Sequence, residues 1–422
     1  MAKRLTAFIL IGLVLGLAVG WAINVTIDDH SVAATARLKD IAHWFSVVTT
    51  VFLSLIKMII APLVFSTLVV GVAHMGEGTS LGRVGFKSLG WFVCASLTSL
   101  LLGLLLVHLL QPGVGLNFPL PQATADTGLD KSNFDAAKII THIFPNSIID
   151  AMAKNEILQI VIFAIFFGVA INAVGEVAKP LVKAAEALVA VMLKITDFVM
   201  RFAPLAVFAA VAAALIEHGP SVIGKLAYFM GSVYLGLAAL WALLIAVLFM
   251  IVGGRATTLL RYIREPVLLA FSTASSEAAF PRTLEALERF GVPNRIASFV
   301  LPLGYSFNLD GSMMYMTFAS LFIAQAYGIV LPLATQVAML LTLMITSKGI
   351  AGVPRASLVV IAATLGQFNL PEGGLLLVLA IDHFLDMGRS ATNVIGNAVA
   401  ATVIAKWETG LHDVQPLDET AA

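Results

Sequence analysis

Charged residues are scarce in this sequence. Asp, Glu, Lys and Arg make up only 12% of its 422 residues, against 59% hydrophobic residues and a mean hydropathy of +0.96. A soluble domain carries about 25% charged residues, so the composition predicts a polytopic membrane protein. The 25 basic and 25 acidic residues balance, which leaves no excess of charge that would favour nucleic acid as a partner.

Cysteine is nearly absent as well. The single cysteine, Cys94, lies within an apolar run, which argues against a disulfide framework and a cysteine-based metal site. No low-complexity segment and no stretch typical of a soluble domain is present. The beginning, Met1-Ala2-Lys3-Arg4 before the apolar residues 5–25, could pass for a signal peptide, but this run is long enough to span and predicts a retained first helix.

Long apolar runs are what the sequence has instead. A helix needs about 20 residues to cross the hydrocarbon core of a membrane. Six runs have this character: 6–26, 42–72, 88–110, 157–175, 183–216 and 225–253. Pro62 and Pro204 are predicted to bend the second and the fifth. Lys and Arg clusters before the first and third runs and after the sixth predict a cytoplasmic N-terminus. The polar stretch 111–155 is predicted to be an exterior loop, and the acidic residues 408–422 a disordered tail.

After residue 264 the pattern changes. Three apolar segments in succession are interrupted by small and polar residues, at 272–277, 308–312 and 346–354. Each apolar half, at about 10–13 residues, is too short to cross alone. Non-helical backbone at membrane depth has to line a cavity enclosed by protein. The pattern therefore predicts helical hairpins and a broken helix in an inverted repeat around a binding site; interfacial loops between full spans are the alternative.

The last apolar region carries a stripe of polar side chains. At about 100° per residue, five side chains fall on one helix face within roughly 80° of arc. They are Asp382, Asp386, Arg389, Asn393 and Asn397. Ionisable groups at membrane depth are costly and mark substrate or ion pathways. A structural ion pair between Asp386 and Arg389 would explain only part of the stripe, which predicts the centre of a transport site.

Several short motifs here belong together. Asn308-Leu309-Asp310-Gly311-Ser312 lies between the Ser-rich residues 272–281 and the residues 349–354, and Asp386-Met387-Gly388-Arg389 follows them. The first resembles the Asn-Met-Asp-Gly-Thr signature of the dicarboxylate/amino acid:cation symporter family, the glutamate transporters, and the others agree with it. Ala203-Pro204-Leu205-Ala206-Val207-Phe208 also resembles a family motif. The resemblance covers essentially the whole chain and is greatest to the bacterial proton/glutamate symporters.

This resemblance implies eight transmembrane helices and two re-entrant helical hairpins with inverted repeats, assembled as a homotrimer in the bacterial cytoplasmic (inner) membrane with both termini in the cytoplasm. It also implies an elevator mechanism, in which a transport domain slides against a static scaffold. The implied units are scaffold helices 1–2 (1–82), the third helix of the transport domain (83–110), scaffold helices 4–5 with the exterior loop (111–217), the rest of the transport domain (218–410) and a tail (411–422). Hairpin 1 would cover about 256–292 and hairpin 2 about 332–370.

An acidic amino acid is the substrate that the resemblance implies. Arg389 would hold its side-chain carboxylate, since a guanidinium matches a carboxylate bidentately. Asp386 would bind the α-amino group, and Asp382 would orient Arg389. The other implied substrate contacts are Asn393, the hydroxyls of Ser312 and Ser390, and the hairpin tips at Ser275, Ser276 and Val353.

Departures from the family pattern bear on the coupling ion. Asn397 stands where sodium-coupled members have Asp, which completes a sodium site near Gly304 and Asn308. A second site, around Asp310 and Asn308, has lost two oxygen ligands on the third helix, where Phe92 and Ala95 align. A hard cation stripped of water needs its full set of oxygens, so both sites are weakened. A co-transported proton is therefore predicted, with residual sodium binding left open.

The proton carrier is a separate question. Neuronal family members use a Glu on the seventh helix, and Met316 occupies that position here. The carboxylates that remain are Glu277 in hairpin 1, which is the first candidate, and then Asp310, Asp386 and Asp382. The alternative role of Glu277 is to cap or pair within the hairpin.

Other functions stay open at this stage. The closest alternatives keep the fold but use sodium, or carry C4-dicarboxylates. An anion channel is a second class. An intramembrane hydrolase could use Asp310 with Asp382 or Asp386, or a serine hydroxyl at 275–276, but no Gly-x-Ser-x-Gly motif surrounds those serines. Neither an enzyme activity nor a cofactor is therefore predicted.

Overall fold

A computed structural model describes residues 2–27, 31–75, 78–115, 144–347, 356–379, 381–408 and 410–415. These residues form helices joined by short turns, with no β-strand among them. Five described stretches are long and apolar enough to cross a membrane: Ala7–Ile27, Ala33–Ala73, Gly82–Leu110, Ile157–Met200 and Ala227–Val252. The prediction of an all-α polytopic membrane protein is confirmed.

The predicted apolar runs all lie in helices. The helices are α1 (Ala2–Ile27), α2 (Val32–Met75), α3 (Gly78–Leu110), the short α4 (Ile148–Ala153), α5 (Ile157–Val174), α6 (Lys179–Met200), α7 (Ala203–Lys225) and α8 (Ala227–Val252). The fifth run was wrong as a single span, because a turn at 201–202 divides it into α6 and α7. Pro204 therefore lies in the first turn of α7, where its missing N–H leaves no hydrogen bond unmade. Pro62 does lie inside a helix, α2.

The second half of the chain consists of shorter helices. They are α9 (Arg255–Thr273), α10 (Phe280–Phe290), α11 (Asn294–Phe307), α12 (Asp310–Ala326), α13 (Leu333–Thr346), α14 (Ala356–Gln367), α15 (Leu375–Leu379) and α16 (Asp382–Glu408). The predicted interruptions at 272–277 and 308–312 do separate helices, at residues 274–276 and 308–309, whereas most of the third, at 346–354, lies outside the described residues. The apolar residues just before the polar stripe do not belong to the same helix, since α16 begins at Asp382.

Two helices are centres of packing. α2 contacts α5, α6 and α7, whereas α16 contacts α3, α8, α9, α11 and α12. The two groups meet most extensively where α11 packs on α2, and α9 also contacts α1 and α7. α16 is thus enclosed by other helices along its length, which explains how a helix with so many polar side chains can lie in a membrane protein.

α1 and α7 pack closely because glycines line their contact. Gly12, Gly16 and Gly20 recur at every fourth position and so share one helix face. A Cβ atom at each would lie only 2.5–2.8 Å from a backbone oxygen of α7. Small residues at such contacts let two backbones approach in lipid, where association depends on van der Waals packing.

The segment after α16 is ordered where the structure describes it, at residues 410–415. The His412 N–H donates to the Gly291 carbonyl at 2.8 Å. The Gln415 N–H donates to the Arg289 carbonyl, also at 2.8 Å. The prediction of a disordered tail was wrong here, because the end of α10 and the turn that follows it offer backbone partners. The rest of the tail lies outside the described residues.

Candidate functional site

The polar stripe of α16 faces other helices. Four of its five side chains are buried, and the Asp386 side chain is 29% exposed. The stripe takes part in two clusters that also include residues outside it. We call Asp382, Asp386, Arg389, Ser390 and Tyr315 the Arg389 cluster. We call Asn308, Asp310 and Asn397 the Asn397 cluster.

The Arg389 cluster is built on two carboxylates and one guanidinium. Arg389 Nε donates to Asp386 Oδ1 at 2.6 Å, one helical turn away. Its Nη1 lies 3.7 Å from Asp382 Oδ1. The Ser390 hydroxyl donates to the same Asp386 oxygen at 3.2 Å. The guanidinium is thus balanced by carboxylates of its own helix, and Asp386 is the member that remains partly open.

Tyr315 of α12 completes this cluster. Its hydroxyl donates to Asp382 Oδ1 at 2.6 Å, and its ring lies 4.6 Å from the Arg389 guanidinium carbon. The ring thus supplies a cation–π contact while the hydroxyl orients Asp382. Sequence reasoning missed Tyr315. The available signal was a lone tyrosine in an apolar segment, which needs a hydrogen-bond partner when buried, but the sequence does not identify that partner.

Asn393 joins α16 to the first turn of α12. Its Oδ1 accepts the Gly311 N–H at 2.9 Å, and its Nδ2 donates to the Ser312 hydroxyl at 3.3 Å. A side chain at Gly311 would collide with the Arg389 carbonyl oxygen. The close approach of the two helices thus brings together Asn393 and Ser312, both predicted site residues.

The Asn397 cluster is buried throughout. Asn308 Nδ2 donates to Asp310 Oδ2 and to Asn397 Oδ1, both at 3.2 Å. A side chain at Gly304 would collide with Asn397, and one at Gly396 with Asp310. The residues predicted around a coupling-ion site are therefore in one place. They contain a single carboxylate, and no group of three or more His, Cys, Asp or Glu that could hold a metal ion occurs in the described residues.

The residues that the family resemblance aligns with oxygen ligands are apolar side chains. Phe92 is buried and Ala95 half-buried on α3, which packs against α12. Met316 is also buried, on α12 itself. None of these three side chains offers an oxygen atom. Ser96, one position beyond Ala95, is buried as well and does carry a hydroxyl.

The turn between α9 and α10 lies beside the first turns of α16. Ala274 packs against an apolar cluster that contains Phe384 and Met387. The adjoining Ser275, Ser276 and Glu277 are half-buried. The Ser275 hydroxyl accepts the Ala278 N–H at 3.2 Å, whereas no hydrogen bond of the Glu277 carboxylate is seen within the described residues. The fourth hairpin-tip prediction, Val353, lies outside the part that the structure describes.

Paired charges enclosed by interrupted helices in a many-helix membrane protein are typical of a transport protein. The model of the sodium:dicarboxylate symporter family matches residues 5–407, and the chain belongs to this family. The family consists of transporters, which confirms both the resemblance seen in the sequence and the prediction that the chain is not an enzyme.

Bacterial relatives are similar over most of the chain. A "Proton/sodium-glutamate symport protein" of Geobacillus stearothermophilus is 37% identical over 412 residues, which cover 95% of this chain and 93% of that protein. A "Proton/glutamate-aspartate symporter" of Escherichia coli is 40% identical over 367 residues, 85% of this chain and 84% of the relative. A "C4-dicarboxylate transport protein" of Laribacter hongkongensis is also 40% identical over 367 residues, 85% and 83% of the two chains. The chain is accordingly a multi-pass bacterial membrane protein.

Proposed function

We propose that this chain is a secondary active symporter that imports L-glutamate and L-aspartate together with protons. The observation that carries the substrate is the contact between Arg389 and the half-open Asp386. A guanidinium binds a carboxylate, and a carboxylate binds an ammonium group. An acidic amino acid carries both a carboxylate and an ammonium group, and two relatives are named as symporters of glutamate or of glutamate and aspartate.

Binding would exchange one set of ion pairs for another. The substrate's side-chain carboxylate takes the place of Asp386 at Arg389. Its α-ammonium group takes the place of Arg389 at Asp386. A C4-dicarboxylate lacks the ammonium group, so it would leave Asp386 without a cation. C4-dicarboxylates are the alternative substrates because some relatives are named as their transporters.

The α-carboxylate would lie between α16 and the two hairpin tips. Asn393, Ser312 and Ser390 offer neutral hydrogen-bonding groups beside Arg389. Ser276 and Val353 would add backbone N–H groups at the hairpin tips, since N–H groups that begin a helix are natural anion sites, and Ser275, whose own N–H donates to the Ala270 carbonyl at 3.1 Å, would add its hydroxyl. Asp382 orients Arg389 and touches no substrate atom.

Proton coupling is favoured by what the Asn397 cluster contains. Asn397 is neutral, and Phe92 and Ala95 add no oxygen, so a sodium ion would meet an incomplete ligand set. Glu277 is the proposed proton carrier because it lies half-buried beside the first turns of α16 with no hydrogen bond seen among described residues. Asp310, Asp386 and Asp382 are the other candidates. Sodium is the alternative coupling ion, since relatives are named for both ions.

The proposed architecture is eight transmembrane helices and two re-entrant hairpins, α9–α10 and α13–α14, in a homotrimer with both termini in the cytoplasm. The helices around α2 would be the scaffold, with α1, α2 and 111–217. The helices around α16, with α3 and 218–410, would be the transport domain that moves as an elevator. The packing of helices around two centres supports this division.

Uptake into proteoliposomes tests the proposal. Labelled L-glutamate is offered with an inward proton gradient, first without sodium and then with it, and labelled succinate is offered in parallel. Accumulation without sodium that collapses with a protonophore is expected. Uptake that requires sodium would contradict proton coupling, and transport of succinate in place of glutamate would contradict the role given to Asp386.

A further inference from the structure

Arg282, near the start of α10, lies among three carboxylates. Its Nη2 donates to Asp197 Oδ1 on α6 at 2.6 Å. Its Nη1 donates to Glu285 Oε2 on α10 at 2.8 Å. Its Nε lies 4.0 Å from Glu265 Oε1 on α9. One guanidinium therefore joins the α9–α10 pair to a helix that packs on α2.

These carboxylates differ in where they belong. Glu265 and Glu285 are in the same helix pair as Arg282, and Glu285 also binds Arg289 at 2.6 Å. Asp197 lies on α6, among the helices around α2. If α6 and α10 separated, Arg282 would keep two carboxylates nearby, and only Asp197, whose side chain is 44% exposed, would lose its partner. Separation would thus leave the guanidinium beside carboxylates of its own helix pair.

We propose that the Arg282–Asp197 ion pair is a conformational latch, formed in the arrangement seen here and broken in every transport cycle as hairpin 1 moves past α6. The inference rests on the proposed division into scaffold and transport domain. Its strength suits that task. The Arg282 side chain is 19% exposed and that of Asp197 44%, and an ion pair between partly exposed side chains changes a population ratio by about two- to fivefold. A fully buried pair would be far harder to break.

The first test measures populations and needs no substrate. Spin labels at Lys183→Cys on α6 and Arg261→Cys on α9, both exposed positions, report their separation by pulsed EPR in a Cys94→Ala background. Asp197→Asn is expected to shift the distribution away from the arrangement described here by about two- to fivefold. The matched control is Glu176→Gln, which removes an exposed ion pair with Lys179 at the start of the same helix and should shift nothing. An unchanged distribution in Asp197→Asn would overturn the latch.

The second test holds the latch closed. Asp197→Cys with Arg282→Cys is joined by a reducible bifunctional methanethiosulfonate reagent in proteoliposomes. Uptake of L-glutamate should stop on cross-linking and return on reduction, while binding measured by calorimetry persists. In the control variant, Glu176→Cys with Lys179→Cys, both cysteines lie in the proposed scaffold. This variant should still take up L-glutamate when it is cross-linked.

The outcomes separate the latch from the proposed function. Full uptake by the cross-linked 197–282 variant would show that α6 and α10 do not separate, and would overturn the latch while leaving the substrate assignment intact. Absence of L-glutamate binding and uptake in the protein before any cross-linking would contradict the proposed substrate. The EPR distributions decide on the latch in that case as well.

Discussion

The two polar clusters of α16 lie on one helix, about 12 Å apart by the helical rise between Arg389 and Asn397, yet they differ in charge and access. The Arg389 cluster holds three charged groups that are paired with one another, and one of them is 29% exposed. The Asn397 cluster is buried and combines one carboxylate with two amides. In the Arg389 cluster, a charged ligand can replace the ion pairs between the cluster's own side chains with ion pairs to itself. The second offers a buried carboxylate with neutral neighbours, which suits a small ion or a proton.

The difference arises from the helices that pack against α16 more than from α16 itself. Tyr315 supplies an aromatic face and a hydroxyl to the upstream cluster. Asn308 supplies an amide to the Asn397 cluster, and Gly304 on α11 and Gly396 on α16 let the backbones come close enough for that contact. One helix can thus serve two chemistries because its neighbours differ along its length.

The largest effect is expected when the guanidinium is removed. Arg389→Ala should lower L-glutamate uptake by more than about 100-fold, since leaving a buried carboxylate without its cation costs about 3–5 kcal/mol. Arg389→Lys keeps the charge but loses the planar fork, so it should restore only part of the activity. Uptake assays and calorimetric binding on purified protein measure both. Arg261→Ala, at an exposed position on α9, is the control, and near-normal uptake by Arg389→Ala would remove this cluster from the substrate site.

Asp386 comes next, because it decides between substrate classes. Asp386→Asn should weaken L-glutamate binding by about 10- to 100-fold, as expected for the loss of a charge-assisted hydrogen bond. Succinate binding should weaken less or improve, since succinate has no ammonium group. Competition assays give the ratio of the two affinities. Arg261→Ala, at an exposed position on α9, is again the control, and an unchanged ratio in Asp386→Asn would contradict the assignment.

A smaller effect is expected at Tyr315. Tyr315→Phe keeps the ring over Arg389 but removes the hydrogen bond to Asp382, so L-glutamate binding should weaken by about tenfold. Tyr315→Leu also removes the cation–π contact and should weaken binding by a further factor of about three. Equal binding by the Phe and Leu variants would show that the ring contact contributes nothing. Neither change alters Glu277, the proposed proton carrier, or the Asn397 cluster, so the proton dependence of uptake should remain as in the parent protein.

Much of the site could be predicted from the sequence, because those parts of it follow from patterns among residues that are close together in the chain. The stripe on α16 follows from helical periodicity, and the break at 308–309 follows from polar residues inside an apolar run. The contacts Tyr315–Asp382 and Asn308–Asn397 join residues 67 and 89 positions apart, and no local pattern encodes them. The division of the fifth run into α6 and α7 was missed for a different reason, since hydropathy does not register a two-residue turn between two apolar helices.

The smallest effect on uptake is expected from Asn397→Asp, which tests the difference between the two clusters most directly. Asn397→Asp places a second carboxylate in the buried cluster beside Asp310, at a distance set by the amide of Asn308. Two like charges in a buried site favour a cation between them. Sodium should then stimulate L-glutamate uptake by about twofold or more, because a carboxylate restores an anionic oxygen ligand. Asn397→Ala, which removes the amide and adds no charge, should show no sodium response. Uptake by Asn397→Asp that does not respond to sodium would mean that the apolar side chains Phe92 and Ala95 on α3 are enough to exclude the ion.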